Sequence, residues 1–134
     1  MTNNKQQKEF IPYELALELK QLGFDEPCLA SIDQTDFIHI KGTEYPIRGA
    51  MIYNAIDCPT YSQAFRWFRE NYNIDISINT VYSKYNENTS KKYGGVIDNE
   101  FYFTNVGFHD TYEEAEIICL KKLIEIVKEV SNEP

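Results

Sequence analysis

The sequence predicts a mixed α+β fold. It reads as a two-layer sandwich of helix, three-stranded antiparallel sheet and helix, preceded by a short helix and a loose β-hairpin. Three observations carry this. Tyr61, Ala64, Phe65, Phe68 and Tyr72 recur at helical spacing just after Thr60. Ile74, Ile76 and Ile78 alternate strictly with Asp75, Ser77 and Asn79. Ala115, Ile118, Cys119, Leu123, Ile126, Val127 and Val130 form a wide apolar stripe near the end. An alternating strand has one apolar face, so both helices are expected to cover that face.

The elements follow in order. Residues 1–9 are polar and read as a flexible tail. Pro12 suits a first helical position, and Leu15, Leu19 and Leu22 give a short helix over Tyr13–Leu22. Gly23 supplies the positive φ that closes it. Phe37, Ile38 and Ile40 form one short strand, and Ile47 with Ala50–Tyr53 a second, interrupted by Pro46 and Gly49.

Thr60 and Gln63 stand at capping-box spacing, opening a helix over about 60–72. Arg66 and Glu70 fall opposite its apolar stripe, with Trp67 at the stripe's edge. The Ile74 strand runs on to about Tyr82. A polar loop is expected over 83–92, then strands near 92–98 and 100–106. Their turn is either Asp98-Asn99 or Gly94-Gly95. Thr111 and Glu114 repeat the capping-box spacing and open the last helix, over about 111–130. Glu113, Glu114 and Glu116 stand in its first turn, where the helix dipole favours negative charge.

A chain of 134 residues fits a single domain. Within it, 10–59 holds the N-terminal helix and hairpin and 60–130 the α-β-β-β-α unit. Thirteen Lys plus Arg oppose twenty-one Asp plus Glu, a net charge of −8. That charge argues against nucleic acid or an anionic membrane as the main partner. No apolar run reaches the roughly 18 residues of a membrane span, and the polar N-terminus does not read as a signal peptide. A cytoplasmic setting is expected, with Cys28, Cys58 and Cys119 as free thiols.

The order helix, three antiparallel strands, helix resembles the double-stranded-RNA-binding-domain fold. That family binds RNA through its first helix, a loop between the first two strands and a lysine-rich start of its last helix. Here the last-helix start carries Asp110, Glu113, Glu114 and Glu116, which repel phosphate. The resemblance therefore implies a topology and not an RNA function. The phrases FIPYELALELKQLGFDEPCLA, PTYSQAFRWFREN and DTYEEAEIICLKKLIEIVKE resemble a family of small phage and prophage proteins of Bacteroidetes bacteria. That likeness implies a genomic setting and brings no activity or site residues.

Catalytic and metal chemistry find little support. His109-Asp110 is an acid-paired histidine in form, and an ordinary loop histidine is the simpler reading. Cys58 precedes a helix whose N-terminus would lower its pKa, yet no Cys/His arrangement accompanies it. Asp33, Asp36 and His39 are three apart, which in a strand sends successive side chains to opposite faces. No catalytic residue, metal or cofactor is expected.

Two binding surfaces remain. The segment 83–93 carries Lys84, Lys91 and Lys92 with Tyr85 and Tyr93 among them, a mixture suited to base stacking and phosphate contact. Arg66 would extend that patch. Ten Tyr, eight Phe and one Trp are many for this length. An exposed cluster at Trp67 or Phe101–Phe103 would make a docking or homodimer surface. The reading is an acidic, non-catalytic accessory protein acting by protein–protein contact, with another protein or a second copy as partner. Weak nucleic-acid binding through 84–93 is the alternative.

Overall fold

A computed structural model describes residues 8–41, 55–85, 87–100 and 103–131. The fold is mixed α+β, with two three-stranded antiparallel sheets. Contacts divide the chain into two compact units, 1–64 and 65–134.

In the first unit, α1 spans Tyr13–Gln21 and ends as the sequence requires. Gly23 takes φ +107°. Its N–H donates to the Lys20 carbonyl at 3.1 Å, and the Phe24 N–H to the Leu19 carbonyl at 2.9 Å. This is a Schellman closure, and its apolar pair, Phe24 and Leu19, is buried. The other end is capped from a distance: Asp36, at φ +65°, accepts the Tyr13 N–H at 2.8 Å.

Where the sequence leads one to expect a loose hairpin, the described residues hold a three-stranded sheet that includes the expected Ile38–Ile40 strand. β1 (Ala30–Ile32) is central, with β2 (Ile38–Ile40) and β3 (Ile56–Cys58) on either side. Strands β1 and β3 leave no signal in the sequence, because three residues are too few to show alternation. The strand expected at Ile47 and Ala50–Tyr53 lies outside the described residues, as does most of the 1–9 tail. Ile11, Leu15, Leu19, Ala30, Ile32 and Cys58 are buried in this unit.

Helix α2 spans Tyr61–Tyr72. Thr60 Oγ1 accepts the Gln63 N–H at 3.1 Å, half of the expected capping box. The other half is replaced: the Gln63 amide donates to Glu26 and to the Pro27 carbonyl. Asn73, at φ +56°, ends the helix.

The second unit holds the sheet β4 (Asp75–Tyr85), β5 (Asn88–Asp98) and β6 (Phe103–His109), in that spatial order. Helix α3 (Tyr112–Ser131) packs chiefly on β5 and β6. Its capping box is complete: Thr111 Oγ1 accepts the Glu114 N–H at 3.1 Å and Glu114 accepts the Thr111 N–H at 3.3 Å. Register puts Ile76, Ile97 and Thr104 on one face, with Ile78, Gly95 and Tyr93 following. A methyl added at Gly95 would meet Cys119 of α3, and Tyr93 stacks edge-on against Tyr112 at 5.9 Å. The alternating isoleucines therefore face α3.

Candidate interaction surface

The expected polar loop over 83–92 is corrected to a hairpin arm. β4 and β5 pair without interruption from Asp75↔Asp98 to Tyr85↔Asn88. β6 pairs only as far as Tyr93↔His109. Beyond that point the two strands run on alone. Polar residues read as a loop because a strand solvated on both faces has no apolar alternation to betray it. Ser83 and Ser90 share a hydroxyl hydrogen bond of 2.8 Å across the arm. The following strand, expected over 100–106, is described over Phe103–His109, residues 101 and 102 lying outside the described residues.

Alternation sorts the candidate residues. Lys84, Lys91 and Tyr93 share the helix side with Tyr82, while Lys92 lies on the other. The Lys91 ammonium sits 5.3 Å from the Tyr93 ring centroid and 6.0 Å from that of Tyr82. A hydrogen bond with the Tyr93 hydroxyl, then the electrostatic influence of Tyr82, holds Lys91 above its ordinary pKa. Lys92 pairs with Asp110, whose carboxyl it holds below the usual range. The side chain of Tyr85 lies outside the described residues. Arg66 is exposed on α2, which joins β4 at the end away from the hairpin tip. Trp67 is not a surface residue: at 6% exposure it is buried, edge-on to Phe68 and Tyr72. Phe101 lies outside the described residues, and Phe103 is 67% exposed.

Around Phe103 lies a larger surface than the sequence suggests. Phe103, Val96, Gly94, Phe108 and Val81 share the face turned away from α3. Phe108 is 57% and Val81 37% exposed. Phe108 lies against Gly94, where an added Cβ would stand 3.0 Å from its ring. Ser77, Asn79 and Asn105 on the same face are also exposed. Phe103 and Phe108 are five apart, which in a regular strand means opposite faces. One extra β6 residue between Val96↔Asn105 and Gly94↔Phe108, where Gly107 takes φ +96°, brings them to the same face.

The remaining candidate groups are otherwise engaged. His109 Nε2 lies 3.2 Å from the Val106 carbonyl. Together with Lys92, Asp110 and Glu114 it lines a cleft of about 300 Å³. Asp33 binds Thr35 and the Phe37 N–H within its own turn. Among the described residues no three His, Cys, Asp or Glu side chains gather as a metal set. Burial pushes the thiols of Cys28 and Cys119 up to about 11 and that of Cys58 up to about 12. Cys58 is therefore the reverse of an activated thiol, and its Sγ donates to the Ile11 carbonyl at 3.2 Å.

The acids at the start of α3 divide in role. Glu114 caps, Asp110 pairs with Lys92, and Glu116 is half-buried. Burial, then the neighbouring Glu113, pushes the Glu116 carboxyl up to about 7. A carboxyl with a raised folded pKa favours folding below its unfolded value and loses that advantage as pH rises through about 7. Glu116→Gln is therefore expected to stabilise the protein at pH 8 and to change nothing near pH 4. Allowing for screening of a half-exposed group, the gain is about 1 kcal/mol. Urea unfolding at the two pH values checks it.

These features define an α+β chain whose second unit presents an open sheet face and a projecting hairpin arm. No protein-family model, curated protein or solved structure matches the chain. Among the described residues no helix is long and apolar enough to cross a membrane.

Proposed function

We propose that this chain is a non-catalytic interaction protein whose second unit engages another protein through the open face of its sheet. The observation that carries this is the exposure of Phe103, Phe108 and Val81 together on the face away from α3. Grouped aromatic exposure of this kind marks contact surfaces, because rings left in water gain most when covered. The net charge of −8 favours a protein partner over nucleic acid. The phrases that resemble small phage and prophage proteins support an accessory role in a bacterial cytoplasm. The order α2-β4-β5-β6-α3 supports the resemblance to the double-stranded-RNA-binding-domain fold, while the acids at the start of α3 speak against its RNA function.

The test places a photo-reactive benzoylphenylalanine at position 108, and at position 62 as an exposed control on α2. The chain is then irradiated in an extract of the cells that naturally make it. The expected result is a discrete adduct from position 108 and none from 62. No adduct, or the same pattern from both positions, contradicts the proposal.

One observation favours a second reading. Lys91 between Tyr82 and Tyr93 is a cation beside two stacking platforms, the pattern that holds single-stranded nucleic acid. Anisotropy of short labelled RNA and DNA would then show binding that weakens steeply with salt and is lost in Lys91→Ala. Absence of binding at low salt removes this reading.

A further inference from the structure

The two edges of the β4-β5-β6 sheet differ. The β6 edge is broken by a bulge and by Gly107 at φ +96°, whose N–H is taken by Asn105 at 2.8 Å. Such devices keep a strand from pairing with a stranger. The β4 edge has none. It runs eleven residues, DISINTVYSKY, with no proline and no glycine, and it meets β5 without a bulge. Its one Asp and one Lys cancel, and every residue from Asn79 to Lys84 is exposed. A long, regular edge of zero net charge is a template for another strand.

We propose that β4 pairs antiparallel with β4 of a second copy, across a two-fold axis at Thr80, joining the two sheets into one. The inference rests on the reading of this unit as a contact surface, and it names the partner of one part of it. Joining the same edge of two copies puts the axis normal to the sheet. Helix-covered faces then lie on the same side, and each residue pairs with one from its own face.

Centring on Thr80 aligns all eleven residues, from Asp75 opposite Tyr85 inward. Thr80 meets Thr80, and Ile78 meets Tyr82 twice. Ser77 meets Ser83, and no like charges face one another. Threonine pairs and aromatic–β-branched pairs are among those that stabilise cross-strand contacts. Tyr82, 65% exposed in the single chain, gains a neighbour in Ile78 of the second copy. Helix α3 sits chiefly on β5 and β6 and more lightly on β4.

Thr80→Cys tests the register directly. Residues on the axis fall within disulfide reach, and the native cysteines are buried, which keeps the background low. The full-length Thr80→Cys chain is expected to oxidise to a covalent dimer much faster than Ser62→Cys, an exposed control on α2. Thr80→Lys, which sets two ammonium groups face to face, is expected to weaken the dimer about tenfold in sedimentation equilibrium. Circular dichroism confirms that the variants are folded. A wild-type chain that stays monomeric at about 0.5 mM, or Thr80→Cys that cross-links no faster than Ser62→Cys, overturns the pairing. If the photo-adduct at position 108 persists in that case, the broader contact reading survives.

Discussion

Replacing Phe68 by Ala is expected to cost about 3–5 kcal/mol of folding stability. The ring is fully buried, 5.1 Å edge-on from Trp67 and 6.1 Å from Tyr72. Truncation removes the transfer energy of a large side chain and leaves a hole beside Trp67. That neighbour is a rigid indole and cannot collapse into the space. The loss of edge-on ring contact adds to the cost. Phe68→Leu keeps most of the volume and is expected to cost much less. Urea denaturation of the two variants measures both. A Phe68→Ala loss under about 1 kcal/mol would mean that the ring does not anchor the core.

Gly95→Ala carries the second large effect, by overfilling. A Cβ there would stand 2.6 Å from Cys119 Sγ and 2.7 Å from a Val106 methyl. Neither contact is sustainable, so α3 or β6 must shift. Cys119 is wholly buried on the helix face, which leaves it no free path. The expected cost is about 1–3 kcal/mol. Cys119→Ala vacates the nearer contact, so the double variant should recover much of the loss that Gly95→Ala alone shows. Gly94 provides the contrast. Its added methyl crowds the exposed Phe108 ring at 3.0 Å, which can swing aside, and meets Val81 at an ordinary 3.8 Å, so Gly94→Ala should cost far less. Equal losses at the two glycines would mean that α3 does not rest on Gly95.

The sequence disclosed those parts of the fold that repeat. Helices α2 and α3 announced themselves by apolar spacing and by Thr60 and Thr111 at the caps, and Ile74–Ile78 by alternation. Gly23 marked the end of α1. What stayed hidden depends on partners distant in sequence or on irregularity. Asp36 caps a helix 23 positions away. Gln63 turns from its own helix to Glu26 and Pro27. Strands β1 and β3 are too short to display a period. The arm over 83–92 is mostly polar on both sides, so its composition reads as a loop.

The candidate site was half legible for the same reasons. Lys91 and Tyr93 stood out as an aromatic–basic pair, but Tyr82 joins them only through the register. Lys92, adjacent in sequence to Lys91, points the opposite way to Asp110. Trp67 sits one position from Phe68, and packing buries both, which a stripe drawn on an isolated helix did not reveal. Of the open face the sequence marks only Phe103, because the bulge at Gly107 inverts the parity between Phe103 and Phe108.

Solvent paramagnetic relaxation measured by NMR on the full chain distinguishes the two sides of the β4-β5-β6 sheet most directly. A soluble gadolinium probe should broaden the rings of Phe103 and Phe108 and the Val81 methyls strongly, and leave Ile97 and the Ile76 and Ile78 methyls much less affected. Strong broadening of the isoleucines with the phenylalanines protected would place α3 on the wrong face and contradict the account.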